Sequence, residues 1–193
     1  MVQLYKSDII QSIQPLSVIN DWNHDAREDG LRNAAVLVPL VMRDEWHVIL
    51  TKRTDHLHHH PGQVSFPGGR ADAIDVSPID TALRETEEEI GVQADLVEVV
   101  GVIEPLITVT DFSVTPLVGF VDPAYELDID AFEVAEVFEV PLSLLLDLSK
   151  YERKEILWQG KNRYFWEVKY DGHQIWGATA AMLYTFAGLV NRE

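Results

Sequence analysis

Residues 84–92 read RETEEEIGV and place four glutamates within the five positions 85–89. On a helix, Glu85, Glu88 and Glu89 stand at i, i+3 and i+4 and share one face, while Glu87 points elsewhere, towards solvent. Like charges at i, i+4 cost a helix roughly 0.2–0.5 kcal/mol per pair. The carboxylates also sit near the helix C-terminus, where the dipole disfavours anions. A divalent cation would reverse that cost, because hard cations take carboxylate oxygens. The competing reading is a solvated acidic face on which Arg84 pairs with Glu88.

A second stretch leads into this one. Residues 56–69 read HLHHHPGQVSFPGG, with four histidines in five positions. His56 and His60 have helical spacing, but Pro61 and Gly62 oppose a helix. His58 and His60 could share a strand face, yet no second ligand cluster accompanies them, so a zinc site is not the expected reading. The stretch reads as a loop that leads to a Gly68-Gly69 turn and borders a pocket.

The elements that must position these residues are legible in part. Ser77 is a candidate N-cap, Pro78 suits the first helical position, Asp80 completes a capping box and Gly91 suits the residue after the C-cap. Ile79, Leu83, Thr86 and Ile90 form the predicted packed stripe of this helix. Residues 34–42 and 46–51 read as a hairpin of buried strands around the turn at 43–45. A short strand is predicted at 63–66, stopped by Pro67-Gly68-Gly69. Further strands are predicted at 96–104, 113–121 and 136–140, a short helix at 141–148, a hairpin of 155–158 with 164–170 around Gly160, and a terminal helix at 177–190. Near the N-terminus, Ser7-Asp8 begins a short capped helix that stops before Pro15, and 21–33 reads as a loop. Mixed strands and helices without repeats or linkers predict an α/β or α+β chain of one domain over 1–193, with an N-terminal helix and loop at 1–33 and the core at 34–193.

Bulk properties narrow the partners. Asp and Glu number 32 against 15 Lys and Arg, a formal charge of −17 that repels nucleic acid and anionic membrane surfaces. An anionic small molecule would need local cations or metal ions to bind. The absence of cysteine removes disulfides and thiolate zinc sites. The first fifteen residues lack the apolar segment of a signal peptide, and no run of about 18 apolar residues occurs, so a cytoplasmic protein is expected.

Gly69, Arg84, Glu85, Glu88, Glu89, Gly91 and Val92 together resemble the Nudix box, G-x5-E-x7-R-E-U-x-E-E-x-G-U with U a bulky apolar residue. Asp75 stands at the first Glu, one extra residue separates it from Arg84, and Thr86 takes the first U. The resemblance implies an α/β/α sandwich with a mixed sheet and hydrolysis of a nucleoside diphosphate derivative with Mg²⁺ or Mn²⁺. It makes Glu85, Glu88 and Glu89 the metal ligands and catalytic carboxylates, with Arg84 orienting them.

Upstream, Leu50, Thr51, Arg53, Gly62, Gln63, Phe66, Pro67, Gly68 and Gly69 resemble the extended motif of coenzyme A pyrophosphatases. Thr54 replaces a Ser of that pattern, and His58 stands where Arg is usual. The extra residue before Arg84 is also a habit of this branch. Residues 133–142 and 176–180 resemble two further segments of the branch, so the likeness runs from about residue 34 to 183. It implies a coenzyme A class substrate, cleaved to 3′,5′-ADP and 4′-phosphopantetheine or its acyl form. Glu133 is then a candidate base or additional metal ligand, with Glu136 and Glu139 as rivals. Lys52, Arg53, Arg70, Gln63, Gly68 and Gly69 are candidate substrate contacts, and Asp111-Phe112 a candidate substrate loop. A homodimer is the expected assembly. The alternatives are a Nudix hydrolase for ADP-ribose or a dinucleotide, a non-catalytic nucleotide-sensing Nudix-fold protein, and a simple acidic interaction domain.

Overall fold

The computed structural model describes residues 4–22, 30–57, 60–158 and 160–192. In chain order the elements are α1 (Lys6–Ser12), β1 (Arg32–Met42), β2 (Trp46–Arg53), β3 (Val64–Ser65), β4 (Gly68–Arg70), α2 (Pro78–Ile90), β5 (Val97–Val102), β6 (Leu106–Ile107), β7 (Phe112–Val121), β8 (Val134–Pro141), α3 (Leu142–Leu146), β9 (Glu152–Trp158), β10 (Lys161–Tyr170), β11 (His173–Trp176) and α4 (Gly177–Val190).

β1 is the axis of the main sheet. Its apolar run is buried on both faces, as a central strand requires. One edge pairs in parallel with β7, from Arg32 opposite Phe112 to Val41 opposite Val121. Its other edge changes partner along its length. Leu40, Val41 and Met42 pair with β2, whereas Ala34, Ala35 and Val36 pair with Arg70, Gly69 and Gly68 of β4. β2 meanwhile turns to β3 at Thr51 and Lys52. The first two strands therefore part at one end, and two short strands fill the split. β8 covers the outer edge of β2, and β5 and β6 cover that of β7.

Alternation of side chains assigns each strand residue to one face. Val38, Leu40, Val48, Leu50, Val118 and Phe120 pack with Ile9 of α1, Leu142 and Leu145 of α3, and Leu183 and Phe186 of α4. Ala35, Leu37 and Leu117 pack with Ala82 of α2, and Val41, Ile49 and Val121 with its Ile90. The result is the expected α/β/α sandwich around a mixed sheet. A second, three-stranded sheet of β9, β10 and β11 leans on α4, where Trp166 stacks on Tyr184 at 4.1 Å. Among the described residues, no helix is long and apolar enough to cross a membrane.

Several elements differ from expectation for identifiable reasons. Pro67-Gly68-Gly69 does follow the end of β3, but the two glycines are no turn: they continue as β4, and the missing side chain of Gly68 lets the backbone lie against β1. A Cβ on Gly68 would stand 2.5 Å from the Ala35 carbonyl oxygen. The short strands β6 and β11 were not anticipated, since two to four residues carry too little periodicity. α1 starts before Ser7, and Asp8 caps it from within the first turn by accepting the Tyr5 amide at 2.8 Å. In α2 the buried face comprises Pro78, Thr81, Ala82, Thr86, Glu89 and Ile90, while Ile79 and Leu83 are only half-buried. Thr86 tolerates this position because its hydroxyl donates to the Ala82 carbonyl at 2.6 Å.

Candidate active site

α2 begins and ends as its sequence dictates. The Asp80 amide donates to the Ser77 hydroxyl, the Asp80 carboxylate accepts the Ser77 amide at 2.8 Å, and Gly91 ends the helix in the left-handed conformation at φ 75°. Its last carbonyls are taken by a later segment: the amide of Asp128 donates to the Ile90 carbonyl at 3.0 Å, and that of Asp130 to the Glu89 carbonyl at 3.1 Å. The segment before β8 is thereby docked on the end of the helix that carries the glutamates.

The three glutamates are graded in burial. Glu89 is 4% exposed, Glu85 is half-buried, and Glu88 is exposed. Gly69 makes room for Glu85, whose Oε2 would lie 2.5 Å from a Cβ at that position. The Gly68 amide donates to Glu89 Oε2 at 3.3 Å. The glycine pair thus brings β4 backbone against two of the carboxylates.

Two arginines divide the acidic groups. Arg84 is tightly held. Its Nε and Nη2 each donate to one oxygen of Asp75 at 2.9 Å, and its Nη1 donates to Glu85 at 3.0 Å and Glu88 at 2.8 Å. Nη2 also donates to the Arg70 carbonyl at 3.2 Å. Asp75, 3% exposed, further accepts from the Thr81 hydroxyl and the Asp72 amide at 2.8 Å. The Arg84 bonds outweigh burial and hold the Asp75 carboxyl down at about 2, while the same bonds raise Arg84. Arg53 is loosely placed, with Nη1 3.7 Å from Glu89 and Nη2 3.8 Å from Glu133. Burial pushes Glu89 up to about 8, against the Gly68 amide, and the negative charges of Glu85 and Glu133 push it further. Burial also raises Glu85, with Arg84 opposing.

The structure separates the remaining candidates. Lys52 and Arg53 are neighbours in β2, so their side chains leave opposite faces of the sheet. Arg53 reaches the carboxylates, whereas Lys52 stands on the α4 face opposite Glu136 of β8. Glu136 is 3.5 Å from His173, which stacks on Phe138 at 3.9 Å. Glu139 is bound by Arg43 at 2.7 Å and by the Tyr125 hydroxyl at 2.9 Å. Of the three rival acids, Glu133 is the one that faces Arg53. Arg70 is exposed at the end of β4, and Gln63 lies beside Gly177 at the start of α4 while its carbonyl accepts the Arg53 amide at 2.9 Å. Asp111 forms a tight turn with Thr108, and the Arg32 guanidinium lies over the Phe112 ring at 3.9 Å. His58 and His59 lie outside the described residues. Sequence reading did not find Asp75 as the anchor of Arg84, although its place in the motif marked it. It also missed the bracing of the Glu133 segment by Thr54, for which no local signal exists.

Among the described residues, no three Asp, Glu or His side chains are arranged to hold a metal ion as they stand. The cause is local: Arg84 takes oxygens of Glu85 and Glu88, and Glu89 is turned to Gly68 and Arg53. The donor chemistry nevertheless fits a hard divalent cation. All three are carboxylates, and the buried Glu89 is destabilised in its charged form by Glu85 and Glu133, the condition that a cation relieves.

A helix bearing REXXEE-type acids, packed on a split mixed sheet, defines a class, and comparison with known proteins agrees. The NUDIX domain profile matches residues 31–159, and the chain belongs to that family. It is 45% identical over 152 residues to the uncharacterized Nudix hydrolase NudL of Enterobacter sp. (strain 638), covering 79% of each chain. The NudL of Yersinia enterocolitica serotype O:8 is 45% identical over 159 residues, 82% of each chain. That of Escherichia coli (strain K12) is 42% identical over 152 residues, 79% of each. A solved Nudix hydrolase from M. Smegmatis, RenU, overlays with a TM-score of 0.48 at 21% identity, over 60% of this chain and 74% of that one. The protein is a Nudix hydrolase, a pyrophosphohydrolase of a nucleoside diphosphate derivative, and the family generally uses divalent metal ions.

Proposed function

We propose that the protein hydrolyses the pyrophosphate of coenzyme A or its thioesters, giving 3′,5′-ADP and 4′-phosphopantetheine or its acylated form, with Mg²⁺ or Mn²⁺ held by Glu85, Glu88 and Glu89. The observation that carries this reading is where residues 50–57 and 60–69 lie. The stretch that resembles the coenzyme A pyrophosphatase motif is the stretch that crosses the split between β1 and β2 and brings Arg53, Gly68 and Gly69 to the carboxylates.

When bound, the divalent ion neutralises the pyrophosphate and lowers the pKa of the attacking water. The chain's own residues do the rest. Arg53 presents two guanidinium nitrogens at the site without closing short bonds to either carboxylate, so it is available to a phosphate oxygen. Arg84, locked to Asp75, sets the orientation of Glu85 and Glu88 and is a positioning residue. Glu133, adjacent to Arg53 and exposed enough to meet water, is the candidate to accept the proton of the attacking water. Gln63 and the exposed Arg70 are the further candidate substrate contacts.

The test is a reaction of purified protein with coenzyme A and Mg²⁺ or Mn²⁺, with products resolved by chromatography. Release of 3′,5′-ADP is expected. No cleavage of coenzyme A alongside good turnover of ADP-ribose would overturn the substrate assignment.

A further inference from the structure

Phe132 is 65% exposed, yet the chain around it is fixed from several directions. The Thr54 hydroxyl donates to the Phe132 carbonyl at 2.8 Å, and the Thr54 amide to the Glu133 carbonyl at 2.9 Å. The Asp130 carboxylate accepts the Phe132 amide at 2.9 Å, while the Asp130 carbonyl accepts the amides of Glu133 at 3.0 Å and Val134 at 2.9 Å. Asp130 is itself tied to α2 through the Glu89 carbonyl. These bonds hold a phenyl ring in water on a rigid support.

An isolated exposed aromatic is ordinary. Two further facts distinguish this one. His56 meets the ring edge-on, with centroids 4.9 Å apart and planes at 62°, so the pair forms an aromatic corner. The residue that follows is Glu133, whose carboxylate lies 3.8 Å from Arg53. The corner therefore stands at the rim of the candidate active site, on the same short segment as the acid that faces Arg53.

We propose that Phe132, braced by His56, is the stacking platform for the nucleobase of the substrate. The inference rests on the reading of this site as one that takes a nucleoside diphosphate derivative. Every base offers a π-face, so the platform captures the ring and does not by itself choose among bases. Pre-fixing the backbone removes the ordering cost that a mobile loop would impose on binding. The carboxylates and Arg53 would then handle the phosphates a few residues away.

The test compares two probes in the presence of Mg²⁺ by titration calorimetry: ADP, which carries a ring, and inorganic pyrophosphate, which does not. Phe132→Ala should weaken ADP by about tenfold, the scale of one stacked base, and leave pyrophosphate unchanged. Phe132→Trp should restore ADP affinity. Unchanged ADP affinity in Phe132→Ala overturns the platform. So does an equal loss for both probes, which would mean that the ring only steadies Glu133. A wild-type protein that binds pyrophosphate with no gain from the nucleoside overturns it as well. Failure to cleave coenzyme A, with Phe132-dependent ADP affinity retained, removes the substrate assignment above and leaves the platform standing.

Discussion

Arg84 and Arg53 divide the acidic residues of one site between them, and they are built differently. Arg84 makes five hydrogen bonds of 2.8–3.2 Å, two of them a bidentate pair with a buried aspartate. Arg53 stands 3.7 and 3.8 Å from its two carboxylates. Charge-assisted bidentate pairs are the strong, geometry-setting kind, whereas separations near 4 Å leave donors with unspent capacity. The Arg84–Asp75 pair at the heart of the first region is complete without a ligand. The second holds a buried carboxylate at about 8 and a guanidinium short of partners, and it is completed only by something that arrives. Substitutions should therefore damage folding on the Arg84 side and chemistry on the Arg53 side.

The largest effect is expected at Glu89. Glu89→Gln should lower kcat by about 10²–10⁴-fold, the range for loss of a carboxylate that acts on the reacting groups. Thermal stability should hold or rise, since a neutral amide removes the cost of charging a buried acid. Steady-state kinetics with a melting curve checks both, and full activity would show that Glu89 is not a metal ligand. Arg84→Ala should do the reverse in emphasis. It removes the bidentate guanidinium from buried Asp75, a loss of about 3 kcal/mol in a denaturant titration. Arg84→Lys should recover only part of this, because an ammonium cannot form the bidentate pair. If Arg84→Ala melts like wild type, the distinction between the two regions fails.

The two regions should also respond to pH with opposite signs. Asp75 is held at about 2 in the fold against 3.8 as its ordinary value. Its contribution, roughly 2 kcal/mol, is full above the ordinary value and is lost as pH falls from about 4 towards 2. Glu89 is raised to about 8 from 4.5. In metal-free protein it keeps a proton that the unfolded chain releases, so stability falls as pH rises from about 4.5 to 8 and then levels. Denaturation midpoints in EDTA should show both limbs. Asp75→Asn should flatten the acid one and Glu89→Gln the neutral one, and adding Mn²⁺ should shrink the neutral limb by favouring the carboxylate.

What the sequence revealed follows the range of the interactions. Each cap of α2 joins partners three or four residues apart, Ser77 with Asp80 and Gly91 with Glu87, and both were legible, as were the exposure of Glu87 and the Arg84–Glu88 pair at i, i+4. The division of Lys52 from Arg53 follows from strand alternation, but which of them faces α2 depends on a sheet that local pattern does not orient. Asp75 was visible as an altered motif position, and only the fold shows its bidentate bond to Arg84. The continuation of Gly68 and Gly69 as a strand was hidden, because it depends on β1 more than thirty residues earlier. The bracing of Phe132 and Glu133 by Thr54 spans 78 residues. No window along the chain contains both partners, and the local bonds to Asp130 do not by themselves bring that acid to Arg53.

Glu88 gives the smallest expected effect and the finest discrimination. It belongs to the Arg84 network by its 2.8 Å bond, yet its side chain is 60% exposed. An exposed i, i+4 pair contributes about 0.3–0.5 kcal/mol, so Glu88→Gln should barely move the denaturation midpoint. Mn²⁺ affinity, read by electron paramagnetic resonance of the free ion, should fall by at least about tenfold if this oxygen is shared between Arg84 and the cation. The two readouts then separate roles that the metal-free geometry superimposes. Arg84 and a divalent ion compete for the Glu88 carboxylate, and exposure leaves that side chain free to change partner. Unaltered Mn²⁺ affinity would return Glu88 to the solvated acidic face, as the surface partner of Arg84 and nothing more.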